Sequence, residues 1–91
     1  MLYFREADFA TTPQNKQWLR ELVFEQKKLP EFSEKIAKVS YEDGCKVFFE
    51  DGSWTICRFS GTEPLLRVAA EGNTCPQAQT YLQCWKAFLG L

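Results

Sequence analysis

At 91 residues, 45% hydrophobic and 15% aromatic, the chain has a folded composition with room for one modest core, so a single domain over 1–91 is expected. Its 11 basic and 12 acidic residues leave a formal net charge of -1, which gives no general positive field for gathering nucleic acid or an anionic membrane. No apolar run reaches membrane-spanning length, and the opening Met-Leu-Tyr-Phe-Arg-Glu lacks the basic flank and apolar stretch of a secretory signal, so a cytoplasmic location is expected.

In chain order, LYFREADF at positions 2 to 9 has strand-forming character and ends before a Thr-Thr-Pro break. Thr12 as N-cap and Pro13 at the first helical position open a helix, on which Trp18, Leu19, Leu22 and Val23 recur along one face. Lys27 and Lys28 suit its C-terminal end, and Pro30 stops it. After a short acidic connection holding Phe32 the period changes to two: Ala37, Val39 and Tyr41 alternate with Lys38, Ser40 and Glu42, as in a strand with one wet face. Asp43-Gly44 is a tight turn, 45–50 a strand, Asp51-Gly52 a second turn, 54–59 a strand and 65–71 another. Thr74 and Gln77 make a capping-box pattern for a closing helix with Ala78, Tyr81, Leu82, Trp85 and Phe88 on one face, and Gly90 ends it. The order β-α-β-β-β-β-α describes an α+β fold, an antiparallel sheet with two helices on one face. The aromatic residues Trp18, Tyr81, Trp85 and Phe88 are accounted for as core.

The four cysteines, Cys45, Cys57, Cys75 and Cys84, include no C-x-x-C pair, and the chain has no histidine. A zinc site would need four scattered thiolates to converge, so they are read as small apolar residues and no metal site is expected.

Chemistry concentrates in one stretch, RFSGTEPLLR at positions 58 to 67. Arg58 shares strand parity with Trp54 and Ile56, so it leaves on the face those large residues occupy, where a charge must reach past the core's edge or meet an anion. Gly61 is able to take a positive φ and carries no side chain, letting neighbouring N–H groups point into a common hollow, with Ser60 and Thr62 adding hydroxyls. Pro64 biases Glu63 toward an extended conformation and fixes where the loop rejoins the next strand. These parts describe an oxyanion cradle suited to phosphate. They equally describe an ordinary turn between strands beside a solvated arginine.

The longer string RFSGTEPLLRVAAEG, preceded by DGSWTIC, resembles the phosphate-binding loop in the C-terminal domain of the phosphohexomutases, the superfamily of phosphoglucomutase, phosphomannomutase and the phosphoglucosamine mutases. That loop commonly reads Arg-x-Ser-Gly-Thr-Glu-Pro with a further Arg after two more residues, and Arg58, Ser60, Gly61, Thr62, Glu63, Pro64 and Arg67 all fit. The resemblance implies a fold similar to the TATA-binding protein, with the same element order. It also implies phosphoryl transfer between the 1 and 6 positions of a hexose phosphate, with a phosphoserine, a magnesium ion and a sugar-reading loop on three other domains. Its partners would then be the hexose phosphate substrate and those three domains.

This chain has no D-x-D pair and no serine loop of the nucleophile type, and Asp8, Asp43 and Asp51 stand apart, so alone it is expected to be inactive. The resemblance gives it the part of a clamp on the phosphate that is not transferred. In that part Arg58, Ser60, Gly61 and Thr62 bind phosphate, and Glu63 and Pro64 shape the loop. Arg67 either joins the phosphate or pairs with Glu63 or Glu71. Two rivals are a standalone phosphosugar-binding or regulatory module and a nucleic-acid binder, the latter disfavoured by a sheet that alternates Lys with Glu.

Overall fold

The structure is a computed structural model that describes residues 2–61 and 63–91. Five strands, β1 (Tyr3–Ala10), β2 (Ile36–Ser40), β3 (Cys45–Phe49), β4 (Trp54–Phe59) and β5 (Leu65–Gly72), form one sheet in the order β1-β5-β4-β3-β2, with every neighbouring pair antiparallel. The chain leaves β1, crosses to the far edge through helix α1 (Pro13–Arg20), and returns strand by strand until β5 pairs with β1. Helix α2 (Cys75–Leu89) then lies against β1, β5 and β4. The expected element order and α+β class are thus present.

Thr12 caps α1, its hydroxyl accepting from the Asn15 N–H while the Asn15 side chain accepts from the Thr12 N–H, with Pro13 behind it. The helix does not run on regularly toward Pro30. It passes at Glu21–Glu25 into a π-helical turn, with the Gln26 N–H reaching back to the Glu21 carbonyl. At the start of α2 the Thr74 hydroxyl accepts from the Gln77 N–H as expected, but the Gln77 carboxamide accepts from Asn73 rather than Thr74. Gly72 explains the tightness there: a Cβ on it would lie 2.7 Å from the Ala78 nitrogen, so α2 starts against the bare backbone of β5.

One core is built between the helices and one face of the sheet. Leu19 and Val23 come from the first helical segment, Tyr81, Leu82, Trp85 and Leu89 from α2, and Val47, Cys57, Leu66 and Val68 from the strands. Phe32, in the connection before β2, meets Phe49, Tyr81 and Trp85 edge-on at ring separations of 5.1, 5.7 and 6.0 Å. The Trp85 indole donates to the Thr55 hydroxyl at 3.0 Å, and that hydroxyl donates to the Ala69 carbonyl at 2.8 Å, so a buried threonine is fully bonded.

Two expectations need correcting. Trp18 is 50% exposed, not core; Leu19 and Val23 take the buried positions of this segment, with Leu22 and Phe24 half-buried against the core. Strand parity does group Arg58 with Trp54 and Ile56, but that face is not the covered one. The helices cover Thr55 and Cys57, both buried, and Trp54, Ile56 and Arg58 stand on the helix-free face. Lys46 covers part of this face, its ammonium 4.3 Å from the Trp54 ring centre.

Candidate functional site

The antiparallel order brings the β2–β3 turn, the β4–β5 loop and the start of α1 to one end of the sheet. The loop is closed by its own backbone: the Ser60 N–H donates to the Leu65 carbonyl at 2.9 Å, and the Leu65 N–H to the Glu63 carbonyl at 2.8 Å. The Ser60 hydroxyl accepts from the Glu63 N–H at 3.2 Å, a side-chain turn that competes well with regular structure in short loops. Pro64 offers its carbonyl to the Thr11 N–H at 2.8 Å, anchoring the loop to the segment that caps α1. Gly61 is not among the glycines with left-handed backbone, and a Cβ on it would meet open space. Its contribution is an uncovered backbone rather than an unusual φ. Thr62 lies outside the described residues.

Arg58 and Arg67 face each other as register partners on β4 and β5, and Asp8 on β1 is the partner of Arg67. Like charges directly across a strand pair are unfavourable, and this pair is flanked on both sides by carboxylates. Arg67 binds Asp8 through two bonds, Nε to Oδ1 at 2.9 Å and a terminal nitrogen to Oδ2 at 3.3 Å. Arg58 reaches Asp43 at 3.3 Å. Asp43 is 84% exposed. The hydrogen bonds from Arg67 hold the Asp8 carboxyl below its ordinary range. The partner of Arg67 is therefore Asp8, neither Glu63 nor Glu71 as expected. Asp8 and Asp43, at opposite ends, close an acid-base-base-acid row across three strands and a turn.

Gly44 fixes the near end of this row. Its φ is +99°, and a Cβ there would sit 2.6 Å from the Arg58 Cβ and 2.8 Å from the Cys57 carbonyl oxygen. Only a glycine allows the β2–β3 turn to lie this close to Arg58.

Beside the row opens a hollow of about 680 Å³, with Arg58, Arg67, Ser60 and Gly61 on its lining. Arg20, Phe24 and Glu25 from the first helical segment, and Tyr41 and Asp43 from the β2–β3 turn, are also on its wall. Phe24 packs on Phe59 at 5.9 Å and edge-on to Tyr41 at 6.4 Å between ring centres. Burial, then the neighbouring Cys45, push the Tyr41 phenol up to about 12, and burial pushes the Cys45 thiol up to about 11. Both stay neutral near pH 7, so neither is a ready nucleophile. Among the described residues no group of three His, Cys, Asp or Glu side chains converges to hold a metal ion. The loop motif pointed to Arg58, Ser60, Gly61 and Arg67, which the structure brings to one hollow. No local pattern marks Arg20, Phe24, Tyr41 or Asp43 as further lining residues, or Asp8 as the partner of Arg67.

Residues 20–83 match the family described as phosphoglucomutase/phosphomannomutase, C-terminal domain. The chain belongs to this family. It is 40% identical over 57 residues to a phosphoglucomutase/phosphomannomutase of Thermococcus kodakarensis, a stretch covering 62% of this chain and 12% of that protein. Over 52 residues it is 42% identical to a probable phosphoglucosamine mutase of Methanosphaera stadtmanae, covering 57% of this chain and 11% of the relative. A probable phosphoglucosamine mutase of Methanothermobacter thermautotrophicus is 41% identical over 49 residues, 54% of this chain and 11% of that protein. The chain therefore spans only a small fraction of the curated relatives it matches. For the phosphohexomutase C-terminal domain described here, the family match includes Arg20, Arg58 and Arg67, all of which line the hollow.

Proposed function

We propose that this chain is the substrate-phosphate clamp of a phosphohexomutase, a single domain that holds the phosphate not being transferred while phosphoryl transfer between the 1 and 6 positions of a hexose phosphate proceeds on three other domains. The observation that carries this reading is the facing pair Arg58 and Arg67, set beside the Ser60–Gly61 backbone on one hollow. Two guanidiniums placed where they repel each other are stabilised most by an oxyanion with two charges, which accepts several bonds at once. Arg58 supplies charge-assisted bonds, the Gly61 region supplies backbone, and Ser60 and Thr62 supply hydroxyls. Arg67, already tied to Asp8, adds field and holds the row in place.

Binding at this site is used for orientation. Fixing the distal phosphate locates the sugar's reacting oxygen against a nucleophile that this chain does not carry. The residues described here do not fit a magnesium ion, so any metal that the mutase requires would be held by the other domains. The chain alone is inactive as a mutase. Hydrogen bonds to charged groups contribute about 1.5–3 kcal/mol each, and association costs at least about 4 kcal/mol. A few such contacts on an open hollow give dissociation constants around millimolar.

Titration of labelled chain with inorganic phosphate or glucose 6-phosphate tests this. Amide resonances of Ser60 and Gly61 should shift at millimolar ligand, and Arg58→Ala should remove the shifts. Resonances that stay still there while others move would defeat the assignment. The exposed Asp43 carboxylate, 3.3 Å from Arg58, competes with any anion for the same guanidinium. Exposed pairs of this type contribute at most about 1 kcal/mol, so Asp43→Asn should tighten phosphate binding by no more than about fivefold. The same titration reads it, and weaker binding in that variant would show that Asp43 positions Arg58 rather than competing for it.

A further inference from the structure

We infer that Arg20, on α1 and outside the loop motif, is a third guanidinium of the anion site and contacts the bound phosphate from the helical wall. The inference rests on the phosphate-clamp reading and adds a residue to it. Arg58 and Arg67 each have a carboxylate within 3.3 Å. Among the described residues no carboxylate pairs with Arg20, and its guanidinium lies 5.6 Å from the Phe59 ring centre. Phe59 is the last residue of β4, immediately before Ser60. An aromatic face under a guanidinium restrains the plane while leaving its N–H groups free to point outward along that plane. Arg20 is thus held beside the loop by a partner that does not satisfy its donors.

The backbone around Arg20 supports the same reading. The π-helical turn begins at the next residue, Glu21, and one residue inserted into the helical repeat shifts the phase of later side chains by roughly 100°. Phe24 and Glu25, both within that turn, line the hollow together with Arg20. Such turns occur often at functional sites. Three guanidiniums and two carboxylates, Glu25 and Asp43, therefore line the hollow, and Arg20 is the guanidinium whose charge is not already matched by an ion pair.

Lys16 supplies an internal comparison. It sits one helical turn before Arg20 and also lies over Phe59, its ammonium 5.5 Å from the ring centre. Lys16 lines a second, smaller hollow with Thr11, Pro13 and Pro64, which shares Ser60 and Gly61 with the first but not Arg58 or Arg67. Both cations raise the general potential at the loop, and Arg20 alone of the two shares the hollow with Arg58. Contact and long-range field are separable on this basis.

The experiment is titration of the 91-residue chain with inorganic phosphate at fixed ionic strength, following Ser60 and Gly61 amides, in the parent, Arg20→Gln, Arg20→Lys, Lys16→Gln and Arg58→Ala. Glutamine removes the charge and keeps a polar hydrogen-bonding end. Arg20→Gln should weaken binding about threefold to tenfold, Arg20→Lys should recover part of the loss, and Lys16→Gln should stay within about twofold of the parent. If Arg20→Gln binds like the parent while Arg58→Ala does not bind, the Arg20 inference falls and the clamp stands. If Lys16→Gln loses as much as Arg20→Gln, the effect is a field and the inference falls. If the parent shows no shift at the loop, both readings fall together.

Discussion

Trp85→Ala should cost about 3–5 kcal/mol of folding stability, far more than any single change in the hollow. The indole has no exposed surface, meets Phe32 and Phe88 edge-on, and donates to Thr55 at 3.0 Å. Truncation removes those contacts, leaves a cavity that a small core cannot close, and leaves a buried threonine oxygen short of a donor. Net stability of roughly 0.05–0.15 kcal/mol per residue makes this loss a large part of the whole for a 91-residue chain. The comparison is Trp18→Ala, at a residue 50% exposed, which should change stability by about 0.5 kcal/mol or less. Urea denaturation of the two variants checks both, and equal losses would mean that the first helical segment buries its tryptophan after all.

The contrast between these tryptophans shows what alternation and spacing reveal and where they stop. The strands could be read because the alternation in β3 and β4 and the two Asp-Gly turns fix the period locally, although Tyr41, expected in the second strand, lies in the turn after β2. Which face of the sheet the helices cover could not. On β4 the large apolar residues Trp54 and Ile56 lie on the helix-free face, while Thr55 and Cys57 are buried. A hydrophobicity pattern points the other way, because it counts side-chain size and misses the partners. Small Thr55 leaves room for Trp85 and hydrogen-bonds it, and Trp54 lies under the Lys46 ammonium and packs 6.3 Å from Phe4. The site divides similarly. Arg58, Ser60, Gly61 and Arg67 lie within one short string, whereas Asp8 is 59 residues from Arg67 and meets it only because β5 returns to pair with β1. No local pattern encodes that pairing.

Gly44→Ala should damage the site and the fold together, and the two losses are measurable apart. Holding a non-glycine residue in sparsely populated backbone space costs roughly 1–3 kcal/mol, and the Gly44 φ of +99° is in that class. The added methyl would also lie 2.6 Å from the Arg58 Cβ and 2.8 Å from the Cys57 carbonyl. Neither atom is the far end of a flexible side chain, so the β4 backbone must move, carrying Arg58 with it. Gly52 provides the control, since its φ is +90° but a Cβ there would meet nothing within 4 Å. Gly52→Ala should show the conformational cost alone, a drop in thermal midpoint of about 4–8 °C for each 1 kcal/mol in a chain of this size, with phosphate binding unchanged. Gly44→Ala should melt lower still and lose most of its phosphate-dependent shifts at Ser60 and Gly61. If the two variants match in both melting and binding, the close approach of the β2–β3 turn exerts no hold on Arg58. The guanidinium would then be positioned by the β4–β5 loop alone.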